Sequence, residues 1–205
     1  GALKYAGFND PRGGGHFSGR ITAALVAAGA ILLSALKQKG ITVATHISSI
    51  GEVFDRPFGE DIAADAASLN EKTFAVLDGE AEEKMKAAIL SAKAEGDSVG
   101  GTLETVVLGM PAGVGEPWFD TLEGLLSHAL FSIPAVKGVE FGIGFDCACV
   151  PGSQSNDGFG NAQFLGNKGA VVHQQICADG DQCSADYQQD QLHGQRAGLF
   201  RAAFG

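Results

Sequence analysis

The chain has 205 residues, 24 acidic and 14 basic, and a formal net charge of −10 at pH 7. That balance excludes nonspecific binding to nucleic acid and to anionic membranes, both of which need basic patches. It leaves room for an anionic small ligand, because a few local arginines reverse the field within one cleft. Hydrophobic residues make up 45% and charged residues 19%, the mix of a globular chain that buries a core.

Residues 10–20 read DPRGGGHFSGR and run into GRITAALVAAGAILLSALKQK. The latter predicts a helix over 19–39, with Ser18 as N-cap and Gly40 as the stop. Apolar residues surround it until Lys37, so burial on most sides is expected. ITVATHISSIG (41–51) alternates and carries β-branched residues, which predicts a strand. DIAADAASL predicts a short helix. Residues 78–96 predict an amphipathic helix capped by Asp78, with Glu82 and Lys86 spaced i,i+4 on a solvated face. A strand follows at 98–110, then the loop PAGVGEP, then a helix at 118–132 with the stripe Phe119, Leu122, Leu125, Leu126 and Ala129. VKGVEFGIGFDCACV (136–150) predicts a strand, bent by glycine bulges. The order of elements fits α/β crossovers and antiparallel α+β layers equally well.

Composition shifts near Phe159. Residues 159–205 hold eight glutamines, and residues 1–158 hold two. The 159–205 tail has little apolar periodicity and is expected to be disordered or to have been read in a foreign frame. The cysteines are Cys147, Cys149, Cys177 and Cys183. None forms a C-x-x-C pair and no histidine has ligand spacing, so no metal site is expected. Cys147 and Cys149, two apart on the expected strand, would face one way as reduced thiols. No signal peptide is visible, and Ala23–Leu36 is short for a membrane span, so a cytoplasmic protein is expected.

The chemistry concentrates in residues 10–20. Glycines running into a helix N-terminus expose backbone N–H groups at the positive end of a dipole. Arg12 and Arg20 add charge-assisted donors suited to phosphate or carboxylate, and Ser18 adds a hydroxyl. The spacing matches neither a Walker A loop nor a dinucleotide fingerprint. A flexible capped turn with exposed arginines explains the pattern as well. EGDSVGG (95–101) reads foremost as a helix-to-strand join. Glu116 and Asp120 read as dipole partners at a helix start, and His128 as a partly buried packing residue.

Four segments together carry a resemblance. YAGFNDPRGGGHFSGRITAALVAAGAI, EGDSVGG, PAGVGEPWFDTLEGLLSHALFSIPAVKGVEFGIGF and GSQSND occur in the order and approximate spacing of chorismate synthase, over residues 4–158. The resemblance implies an α+β sandwich with helices packed between antiparallel sheets, of which residues 1–158 form part and 159–205 do not. It implies a lyase of the shikimate pathway. The family eliminates phosphate from 5-enolpyruvylshikimate 3-phosphate to form chorismate, and it requires reduced FMN. A homotetramer is implied for the whole enzyme. NADPH and a partner reductase remain the alternative sources of electrons.

The resemblance carries over residue by residue. Where the family reads Arg-Ser-Ser, followed by Ala-Arg, this chain reads His16, Phe17 and Ser18, then Gly19 and Arg20. His16, Phe17 and Ser18 are thereby implied as flavin contacts, and Arg20 as the residue holding the anionic substrate. Pro134 and Ala135 fall where the family lines the flavin pocket with backbone. The family's Phe-Gly-Glu-Ser-His-Gly and Arg-Pro-Gly-His segments, each with a catalytic histidine, have no counterpart here. Neither has the Gly-Arg-His-Asp segment with its catalytic aspartate. The resemblance therefore assigns no catalytic residue to this chain and admits a second reading, a non-catalytic fragment retaining part of the site and subunit contacts.

Overall fold

A computed structural model describes residues 1–152 and the backbone of 198–204. The chain divides into two compact units, Gly1–Lys39 and Gly40–Gly205.

The first unit begins with turns and ends in one long helix. Two 3-10 turns, Arg12–Phe17 and Gly19–Ile21, lead into helix α1 (Thr22–Gln38). Alanine and leucine favour the helix throughout, and Lys37 stands in its last turn. Ser18 caps the second 3-10 turn rather than α1: its Oγ accepts from the Arg20 N–H at 3.3 Å. The expectation that this helix is buried does not hold. None of its residues is buried, and Val26 and Ile31 are 71% and 72% exposed. Only turns accompany α1 within its own unit, so nothing there can cover an apolar surface that runs all round the helix.

The second unit is built on one antiparallel sheet. Its strands are β1 (Thr42–Ile50), β2 (Val53–Phe54), β3 (Gly101–Leu108), β4 (Val136–Phe141) and β5 (Gly198–Phe204), in the spatial order β2-β1-β3-β5-β4. All four pairings are antiparallel, which resolves the crossover question in favour of α+β. Among the described residues, three α-helices belong to this unit: α2 (Ile62–Leu69), α3 (Gly79–Ala94) and α4 (Leu122–Leu130). Each has a side-chain cap. Asp61 accepts from Ala64 N–H at 3.0 Å, Asp78 from Glu80 N–H at 2.9 Å, and Thr121 from Gly124 N–H at 3.1 Å.

Alternation along β1 and β3 puts Ala44 and Val106 inward, where they pack with Ala66 of α2 and with Phe58, Ile62 and Leu108. A second cluster gathers Val76, Ala81 and Met85 with Ile47, Ile50, Val53 and Phe74. Full burial of Met85 contributes roughly 1.5–3 kcal/mol. The β1–β3 register shifts between Ile47 and Ser49. That bulge lets the consecutive residues Ser48 and Ser49 both be buried. Ser49 and Thr102 share a hydroxyl hydrogen bond of 2.6 Å, and Thr45 and Thr105 one of 2.9 Å.

Two element boundaries differ most from expectation. The 136–150 strand stops at Phe141, because Gly142 and Gly144 take left-handed φ of 63° and 56° and turn the chain into a 3-10 segment, Gly144–Cys149. Cys147 and Cys149 consequently lie on that turn, exposed and as free thiols, not on one face of a strand. The 118–132 helix begins only at Leu122, since Trp118 is left-handed at φ 73° and Thr121 is extended. Phe119 is thereby left out of the apolar stripe and is 88% exposed. The expected disorder or foreign reading of the tail lies outside the described residues, except at Gly198–Phe204, which forms β5.

Candidate functional site

The glycine loop takes a conformation that only glycine adopts freely. Gly13, Gly14 and Gly15 are left-handed in succession, at φ 65°, 73° and 53°. A Cβ at Gly15 would meet nothing within 4 Å, so the loop backbone lies open to approach. The two arginines separate in role. Arg12 is neutralised by Asp10, with Nη2–Oδ2 at 2.8 Å and Nε–Oδ1 at 3.0 Å. This pairing lowers the Asp10 pKa and raises that of Arg12. Arg20 instead donates from Nη1 to the Gly13 carbonyl, which closes the loop but leaves its charge uncompensated. Among the described residues no carboxylate pairs with it. Ser18 is half-buried, while His16 and Phe17 are exposed. The Phe17 ring lies 6.2 Å from that of Tyr5.

In the second unit, Pro134 and Ala135 form the turn between α4 and β4. The Val136 N–H donates to the Ile133 carbonyl at 3.4 Å, and Ala135 sits at φ 68°. This is the third position of a type II turn, where glycine is the unstrained choice. A β-carbon is held there against its preference, and both Pro134 and Ala135 are exposed.

A charged constellation lies inside the sheet unit where the sequence reading marked no site. His46 on β1, Asp55 just after β2 and Glu104 on β3 have fully buried side chains. His46 Nδ1 is 2.7 Å from Asp55 Oδ2, and Nε2 is 2.6 Å from Glu104 Oε2. With both carboxylates ionised, an imidazolium donates from both ring nitrogens. Burial alone would lower the His46 pKa, but hydrogen bonds and charge from Asp55 and Glu104 outweigh it and raise the pKa. For Asp55, burial works upward, while His46 and the Leu77 and Asp78 N–H groups bring the pKa below 3.8. Those N–H groups donate at 2.6 and 2.8 Å, so one carboxylate joins β1 to the N-terminus of α3. The edge of the Phe58 ring closes the site, with centroids 4.9 Å apart. One signal was available in the sequence. His46 shares inward parity with Ala44, and Glu104 with Val106, which places two ionisable groups on buried faces of adjacent strands.

The family model for chorismate synthase matches residues 1–177. The chain belongs to the chorismate synthase family. It is 48% identical over 160 residues to a chorismate synthase of Dehalococcoides mccartyi strain 195, covering 78% of this chain and 43% of that protein. It is 46% identical over 155 residues to one of Korarchaeum cryptofilum, covering 76% and 42%. A crystal structure of chorismate synthase superposes with a TM-score of 0.70 at 26% identity, covering 99% of this chain and 60% of that one. The chain thus spans less than half the length of these curated relatives.

The chorismate synthase match takes in the glycine loop, the Pro134–Ala135 turn and the His46 constellation, and it stops before β5. The remaining candidates have plain structural roles. Glu116 is exposed and donates its N–H to the Asp120 carbonyl at 3.0 Å. Neither it nor Asp120 lies in the first turn of α4, where Glu123 is the acidic residue. His128 is exposed in the last turn of α4 rather than partly buried, and there it complements the helix dipole. EGDSVGG joins α3 to β3, with Gly96 left-handed and the Asp97 carboxylate accepting from the Ser98 N–H at 2.8 Å.

Proposed function

We propose that this chain carries part of the flavin- and substrate-binding machinery of a chorismate synthase. Such an enzyme eliminates phosphate from 5-enolpyruvylshikimate 3-phosphate to give chorismate, in the shikimate route to aromatic amino acids. The observation that carries the reading is the loop of three left-handed glycines leading to Ser18 and an uncompensated Arg20, in a chain of this family. An anionic ligand needs an open backbone and an unpaired guanidinium, and Arg12 supplies neither because Asp10 holds it.

The residues fit FMN. Phe17 offers an exposed ring, Ser18 a hydroxyl, His16 a further donor, and Gly15 a backbone with no side chain in the way. In the second unit, taken by itself, Pro134 and Ala135 match family positions that line flavin with backbone, in a turn where Ala135 is left-handed. When bound, reduced FMN would lend the elimination a transient electron, with NADPH or a partner reductase as the source of its reducing equivalents. Arg20 orients the substrate's anionic group and Ser18 fixes the loop. The family match supports a cytoplasmic setting and a homotetrameric whole enzyme.

The coverage of relatives supports a second reading, in which the 205 residues bind without catalysing, since the family's histidine segments have no counterpart here. Incubation of the chain with reduced FMN and substrate under anaerobic conditions separates the two. Chorismate formation overturns the non-catalytic reading. In a full-length relative, replacing the arginine equivalent to Arg20 with alanine is expected to raise KM roughly 10- to 100-fold, the worth of a charge-assisted hydrogen bond. Its FMN affinity, read by flavin fluorescence, should stay unchanged. Unaltered KM refutes the substrate role.

A further inference from the structure

At one level of the sheet every long strand carries a charged or ionisable residue. His46 of β1 is in register with Glu104 of β3. Glu104 is in register with Arg201 of β5, and Arg201 with Glu140 of β4. Asp55 adds a carboxylate at the other side of His46, 2.7 Å away. With His46 as imidazolium, the signs alternate across the sheet: Asp55, His46, Glu104, Arg201, Glu140.

The rest of β5 specifies its alignment poorly. The strand reads GLFRAAF, and Arg201 is its one charged residue. Leu199 and Ala203 share its parity, while Phe200, Ala202 and Phe204 take the other. Both faces are therefore apolar, the pattern in which strand register is weakly set. A slip of one or two residues would bring Phe200, Ala202, Leu199 or Ala203 opposite Glu104. Glu104 is fully buried, and a carboxylate in such a place demands charge around it. On the far side, the turn after β4 closes on Glu140. Gly144 is left-handed at φ 56°, and a Cβ there would stand 2.6 Å from Glu140 Oε2. Glu140 thus presents a position fixed by its own turn.

We propose that the row Asp55–His46–Glu104–Arg201–Glu140 is a register key. It selects residues 198–204 for the slot between β3 and β4 and fixes their alignment there. Charged or polar groups at one position are an established means of setting register where apolar contacts do not discriminate. The inference does not depend on what the chain catalyses.

Two measurements on the 205-residue chain test it. Hydrogen–deuterium exchange compares Arg201→Lys with Arg201→Leu. The lysine variant keeps the row's sign order and should exchange across 198–204 within about twofold of the parent. The leucine variant should exchange there about tenfold faster or more, while 42–50 and 101–108 keep their protection. Full protection of 198–204 in the leucine variant overturns the proposal, because apolar burial alone would then seat the strand. The second measurement moves the charge by two residues, with Arg201→Ala and Ala203→Arg, in a background lacking the native cysteines. Ala202 is now opposite Leu103. After the move, Ala202→Cys should crosslink oxidatively with Thr105→Cys rather than with Leu103→Cys. Retention of the crosslink at Leu103→Cys overturns the key even if the leucine variant is globally destabilised.

Discussion

His46 is the residue on which the interior of the sheet unit most depends. It balances two carboxylates that no solvent reaches, and removing it takes from both the imidazolium they share. His46→Gln is expected to destabilise the chain by about 3–5 kcal/mol, measured by urea denaturation. A loss under about 1 kcal/mol would show that Asp55 and Glu104 take up protons or water at little cost. None of this could be read from one strand alone. A histidine in an alternating segment is visible in the sequence, but its partners come from residues 9 and 58 positions away. Arg20 shows the opposite case. Its chemistry is evident from the local pattern, and the structure sharpens it by tying Arg12 to Asp10.

Elements whose ends carry their own chemistry lie where the sequence puts them. The Asp78 cap and the Gly96 stop bracket α3, and β-branched alternation marks β1 and β3. The misread boundaries follow from backbone choices that periodicity does not report. Trp118 and Ala135 are left-handed without being glycine, so one helix is shortened and a strained turn follows it. Ala135→Gly should stabilise the α4–β4 turn by about 1 kcal/mol, seen as a higher urea midpoint. An unchanged or lower midpoint would mean that the alanine methyl makes contacts worth as much as the strain. β5 gives little local signal for another reason: its seven residues lack alternation, and their place depends on partners far earlier in the chain. Burial of α1 was misjudged because apolar composition shows that a surface needs covering, not where the cover comes from.

For the whole molecule, the shifts of the buried His46 and Asp55 define a pH range. The His46 pKa is raised above 6.5 in the folded chain. Its stabilisation is complete below the unfolded value and is lost as pH rises through the folded one. The Asp55 pKa is lowered below 3.8, so its contribution is present above that value and is lost as pH falls through the folded pKa. Stability should therefore be greatest on the mildly acidic to neutral plateau and fall on both sides. Thermal melts across pH in the parent chain and in His46→Gln check this: the alkaline fall should vanish in the variant, and its persistence would assign that limb to other groups. The strand order carries a consequence for synthesis. β5 follows the other described strands in the chain, yet it occupies an inner place between β3 and β4. On a ribosome, β4 is finished about 56 residues before β5 begins, an interval of roughly 3–11 s at ordinary elongation rates. During that time the growing chain exposes two open sheet edges, at β3 and at β4, with the complementary strand still unborn. The nascent sheet is thus most open to mispairing, and most in need of a chaperone, just before residues 198–204 emerge.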